Sequence, residues 1–141
     1  MFSPHVTSGS CVQVSGRLAK RDGKILTGRV GADVSLGEAR ASARGVALEL
    51  LASIRDAAGS LDRVAELGRL FVMVRCAEHF QEVHVVANAV SEVLLVTLGE
   101  RGRHARSVIG AYQLPFGACI EAELSGYLII NPDDHGALHS T

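Results

Sequence analysis

Apolar residues along the chain fall into two stretches of helical spacing, flanked by stretches that alternate like strands. After Ser35 the sequence reads LGEARASARGVALELLASIRDAAG, in which Leu36, Ala39, Ala43, Val46, Leu50 and Ile54 form a stripe. Arg40, Arg44, Glu49 and Arg55 lie off that stripe, so the pattern predicts an amphipathic helix with one buried face. Ser35 and Glu38 match a capping box, and Gly59 stands where the helix should stop. A second helix is predicted from about Glu78 to Leu98, with Phe80, Val83, Ala87, Val90 and Leu94 as its stripe and Gly99 at its end.

The strand signals are shorter. In CVQVSG, residues 11–16, Val12 and Val14 alternate with Cys11, Gln13 and Ser15. Asp22-Gly23 reads as a two-residue hairpin turn, because glycine accepts positive φ without steric cost. LDRVAEL reads as a connection, and the apolar run GRLFVMVRC, residues 68–76, as a central strand covered on both faces. Residues 104–124, HARSVIGAYQLPFGACIEAEL, read as two strands joined by a Leu-Pro-Phe-Gly turn. The order is strands, helix, strand, helix, strands. That predicts an α+β domain over residues 1–130: one mixed sheet with two helices on one face. Residues 131–141 have few core formers and are expected to be disordered. Apolar residues on both faces of the sheet predict self-association to cover the second face.

Composition narrows the function classes. The chain has 141 residues, a net charge of −1 and 4% aromatic residues with no tryptophan. Such a balance argues against nucleic acid as the main partner. The short basic loop RGRHAR, residues 101–106, reads as a solvated loop. Three scattered cysteines, Cys11, Cys76 and Cys119, suit reduced thiols and a cytoplasmic location, not a disulfide framework or a zinc site. Neither a signal peptide nor a membrane-spanning stretch is expected. The histidines His5, His79, His84, His104, His135 and His139 are read as surface residues; His79 and His84 are spaced poorly for a metal clamp on a helix.

The final two predicted strands carry the candidate chemistry. Arg106 opens the first, and an arginine offers a rigid fork of donors that grips a carboxylate with two parallel hydrogen bonds. Along the second, Cys119, Glu121 and Glu123 share one face while Ile120, Ala122 and Leu124 share the other. A carboxylate inside a strand needs a partner or a wet cleft, and one beside a bound ligand can orient water and move protons. A cross-strand ion pair between Arg106 and Glu121 or Glu123 is the structural alternative.

The stretch Arg106-Ser107, an apolar strand, Leu114-Pro115 and then Glu121-Ala122-Glu123 resembles the C-terminal signature of the RidA family, also called YjgF-like or endoribonuclease L-PSP-like proteins. VSGRL, residues 14–18, is similar to that family's Ser-Gly-Gln strand end, and ANAV, residues 87–90, places Asn88 where the family has an asparagine. The resemblance implies a chorismate-mutase-like fold, a homotrimer around a central barrel, and ligand clefts between subunits. It further implies hydrolysis of 2-imino or enamine acids to 2-keto acids and ammonia, with no metal or organic cofactor. Arg106 would bind the substrate carboxylate and Glu121 would position water. Gly16 would let backbone approach the ligand, and Asn88 would shape the cleft. Three positions depart from the deaminase pattern: Val108 replaces a cysteine, Phe2 a tyrosine and Arg17 a glutamine. These bear on the substrate. Two other readings of the same cleft stand beside deamination: a non-catalytic module binding a small carboxylate metabolite and, lower, an RNA-cleaving or translation-inhibiting protein.

Overall fold

The computed structural model describes residues 1–130, so the tail expected to be disordered, with His135 and His139, lies outside the described residues. In chain order the elements are β1 (His5–Ser8), β2 (Cys11–Leu18), β3 (Lys20–Arg21), β4 (Lys24–Ile25), α1 (Leu36–Ala58), β5 (Val64–Arg75), α2 (Val83–Leu98), β6 (Ala105–Ala111) and β7 (Ile120–Leu128). The main sheet runs β1-β2-β7-β5-β6, and β3 and β4 form a separate hairpin. Within the main sheet, among the described residues, β5 and β6 pair in parallel and the other neighbours are antiparallel. Both helices pack on one face, which is the predicted α+β layering.

Local chemistry explains the boundaries. Ser35 accepts a hydrogen bond from the Glu38 amide at 3.1 Å, and the Ser35 amide donates back to the Glu38 carboxylate at 3.4 Å. Both halves of the capping box are therefore formed. Gly59 closes the helix in the left-handed region at φ 88°. Asp22 and Gly23 both take positive φ, the conformation of a tight hairpin turn. The core lies between the helices and the sheet: Leu50 and Ile54 of α1, Val90 and Leu94 of α2, Val12, Leu70, Val72, Ile120 and Leu124 of the sheet are all fully enclosed or nearly so.

Several expectations change. The connection at 61–67 is instead a short 3-10 turn, Leu61–Arg63, after which β5 begins at Val64. The second helix starts at Val83, not near Glu78. Residues 77–80 form a turn in which the Phe80 amide bonds the Ala77 carbonyl and the Ala77 amide bonds Val30. Phe80 still packs on the core, against Gly31, but from outside the helix. The segment Val83–Gly102 is 20 residues long and contains an 18-residue window of mean hydropathy 1.4, long and apolar enough to span a bilayer, contrary to expectation. Much of that apolarity is spent inside the fold, where Val86, Ala87, Val90 and Leu94 are buried.

Strand β5 is not covered on both faces. Leu70, Val72 and Val74 point to the helices, while Phe71, Met73 and Arg75 alternate onto the other face and stay half-open. That open face is mixed in character, with Gln13, Arg69, Glu121 and Glu123 beside Val6, Phe71, Met73 and Ile109. Finally, β6 and β7 are not hairpin partners: β5 lies between them. Residues 112–119 pass across the end of β5, held where the Arg75 amide bonds the Cys119 carbonyl at 2.8 Å and the Cys119 amide bonds Leu26.

The capping box gives a direct test. Ser35→Ala should lower stability by about 1 kcal/mol, seen as a lower urea midpoint at an unchanged m-value.

Candidate functional site

The two-residue period of the strands separates the predicted site into two halves. Arg106 is in register with Leu70, and Leu70 with Leu124, so the arginine faces the helices. Glu121 is in register with Met73 and faces the open side. The two positions differ by two strand spacings and three residues of register, about 14 Å between backbones by ideal sheet spacings. Their side chains leave opposite faces. One chain therefore does not bring Arg106 and Glu121 together, and the cross-strand ion pair does not form.

The first half lies along the β6 edge. Arg106 Nη1 donates to Asn88 Oδ1 at 2.9 Å and to Ser91 Oγ at 3.2 Å. Asn88 and Ser91 are three residues apart on α2 and so share a face. Both protons of Nη1 are thus engaged, while Nε and Nη2 have no partner among the described residues. Val108, in register with Val72, points the same way as Arg106 and packs on the core. A hollow of about 320 Å³ opens here, lined by Ser91, Leu95, Arg103, His104 and Arg106.

The second half lies on the open face, where β2 meets β7. The pairing of β2 and β7 slips between Val14 and Arg17, and Gly16 sits at that slip. A Cβ at Gly16 would come within 2.9 Å of Glu121 Oε1, so only glycine leaves the carboxylate its place. Burial, and secondarily the Glu123 charge, push the Glu121 carboxyl above the usual carboxylate range. Phe2 is 81% exposed. Its segment is tied to β2, because the Ser15 amide bonds the Pro4 carbonyl and the Ser15 hydroxyl donates to the Ser3 carbonyl. On the same open face a groove of about 420 Å³ is lined by Gln13, Ser15, Arg69, Phe71, Glu123 and Ser125 among others, with Glu123 rather than Glu121 on its wall. Arg69 lies 5.1 Å from the Phe71 ring, in cation–π contact.

Arg17 belongs to neither half. Its Nη2 donates to Ser53 Oγ of α1, which draws the side chain under the helix. Cys119 likewise departs from its expected face: it precedes β7, is fully buried, and approaches Ser42 of α1. Its thiol is pushed up chiefly by burial.

Two residues of the first half escaped sequence reasoning. His104 Nδ1 lies 2.7 Å from the Gly102 carbonyl and its Nε2 2.9 Å from Ser91 Oγ. The signal was spacing: Ser91 is one helical turn beyond Asn88, and His104 two residues before Arg106, the same-face interval of a strand.

Comparison with known proteins matches these observations. Residues 1–125 match the family described as "YjgF/chorismate_mutase-like, putative endoribonuclease". The chain is 42% identical over 124 residues to the Trypanosoma cruzi protein TCP17, covering 86% of this chain and 78% of that one. A solved protein of unknown function from Agrobacterium tumefaciens is 35% identical with a TM-score of 0.87, over 92% of this chain and 83% of its own. A "putative endoribonuclease" from Shewanella oneidensis is 28% identical with a TM-score of 0.86, over 91% and 85%.

The Glu121 environment sets a pH dependence. A carboxyl raised in the folded state favours folding below its ordinary pKa of about 4.3 and loses that contribution as pH rises through its folded value. Glu121→Gln should therefore raise the melting temperature at pH 8, with the gain shrinking as pH falls toward 4. Thermal unfolding across that range is the measurement, and an equal shift at every pH would contradict it.

Proposed function

The chain belongs to the YjgF/chorismate_mutase-like family, and from that premise we propose that it hydrolyses small 2-imino or enamine acids to 2-keto acids and ammonia, in clefts shared between subunits of a homotrimer. The observation that carries the reading is Arg106. It is anchored through one nitrogen to Asn88 and Ser91, and it keeps its Nε–Nη2 edge for a ligand. That edge is the one matched to a carboxylate.

The separation of the two half-sites supports the assembly. Arg106 lies on the edge strand β6 and Glu121 on the central strand β7, on the other face of the sheet. A head-to-tail contact seats the β6 edge of one copy against the open face of the next, and repeated contacts of that type close into a ring. Each cleft then receives an Arg106 half and a Glu121 half. The same contact covers Phe71, Met73 and Ile109.

In such a cleft Arg106 holds the substrate carboxylate and fixes the position of C2. The protonated imine is already electrophilic, so orientation supplies most of what the reaction needs. Glu121 accepts a proton from the attacking water as the C2–O bond forms. It gives that proton to the amine of the carbinolamine and takes up the hydroxyl proton as the C–N bond breaks, so that the carbonyl forms and ammonia leaves. A carboxyl raised above its usual range is suited to both transfers. Val108 and Phe2 adjoin the two halves and bear on which side chain the substrate carries, whereas Arg17 is committed to α1.

The basic loop offers RNA little. Arg101 donates to the Leu61 and Val64 carbonyls at 2.9 and 2.7 Å, and Arg103 pairs with Glu100 at 3.4 Å.

Keto acid and ammonia should appear faster than in buffer from an imino acid generated in place by an amino-acid oxidase. Arg106→Ala should reduce that acceleration at least 100-fold. Binding of the keto acid without turnover would identify a binding module instead. Light scattering should give a trimer mass, and a monomer would overturn the shared cleft.

A further inference from the structure

We propose that Ser91 and His104 are positioning residues that set the orientation of the Arg106 guanidinium, and hence the affinity of the cleft for small 2-oxo and 2-imino carboxylates. This rests on the reading of Arg106 as the carboxylate clamp.

Three contacts form one directed chain, and a fourth anchors its arginine end. The Gly102 carbonyl can only accept, so the 2.7 Å contact requires a proton on His104 Nδ1. In the neutral ring Nε2 is then bare and accepts the Ser91 hydroxyl proton at 2.9 Å. With its proton committed to the histidine, Ser91 Oγ turns its lone pairs to Arg106 Nη1 at 3.2 Å. Asn88 Oδ1 takes the remaining Nη1 proton at 2.9 Å. Every donor points the same way, from arginine to serine to histidine to carbonyl, and such chains polarise each bond in turn.

The far end of the chain is fixed by packing. Gly102 is buried, and a Cβ there would lie 2.4 Å from the Leu94 carbonyl oxygen. The 3-10 turn Gly99–Gly102 therefore lies directly on the last turns of α2. The carbonyl that orients His104 and the hydroxyl that His104 orients are both referenced to one rigid helix. Arg106 comes from an exposed edge strand, and no carboxylate among the described residues pairs with it. Without Ser91 its Nη1 keeps one anchor, and the guanidinium regains rotation that a ligand must then remove.

The test is titration calorimetry of the full-length protein with pyruvate, the smallest 2-oxo acid. Ser91→Ala and His104→Ala should each weaken binding about tenfold, and Ser91→Thr should restore it. In an Arg106→Ala background neither change should cost anything more. In turnover the same variants should raise KM with kcat within about twofold. ¹⁵N spectra should show His104 protonated on Nδ1, with its Nε2 signal shifted in Ser91→Ala whether or not ligand is present. If Arg106→Ala loses pyruvate while Ser91→Ala and His104→Ala bind like wild type, the positioning role is wrong and the clamp stands. Equal losses with and without Arg106 would mark a merely structural role and also overturn it. If wild type does not bind pyruvate, or Arg106→Ala binds as tightly as wild type, the clamp reading falls and takes this one with it.

Discussion

Side chains on a strand alternate between two faces, and that constraint governs the candidate site more than any single contact. Because β5 lies between β6 and β7, the register that buries Leu70, Val72 and Leu124 also sends Arg106 toward the helices and Glu121 away from them. Neither residue can change face without turning a buried apolar row into the open. The core and the division of the site are thus one decision. The proposed assembly answers this division, because a second copy of the chain would bring the half-site that this register turns away.

Within each half, different physics holds the functional group. Arg106 is exposed and is oriented by neutral hydrogen-bond acceptors, so its charge stays uncompensated and available. Glu121 is partly enclosed and is held close to Gly16, beside a second carboxylate, Glu123. One site favours an anion and the other favours a proton. Joined as proposed, they would form an environment where a carboxylate binds near a group able to give and take a proton.

Much of this was readable in the chain. The capping box, the stripe of α1 and the hairpin at Asp22-Gly23 all rest on local spacing, which sequence states directly. The insertion of β5 between β6 and β7 is a long-range pairing, and nothing local to Leu-Pro-Phe-Gly distinguishes a hairpin from a crossover. The start of α2 was misplaced because Phe80 fits the helical stripe yet reaches the core from a turn. His104 looked like an ordinary surface histidine because its side-chain partner, Ser91, comes from α2 and is distant from it in sequence. The contact of Arg17 with Ser53 was invisible for the same reason.

The enclosure of Cys119 has a practical consequence. Its sulfur is shut between β7 and α1, and its thiol is held in the protonated form, which is the unreactive one. Cys11 and Cys76 are only half-covered. An alkylating reagent therefore meets two accessible sulfurs in the folded chain and a third only when the sheet parts from its helix. The rate at which that last cysteine is modified is a clock for the breathing of the core.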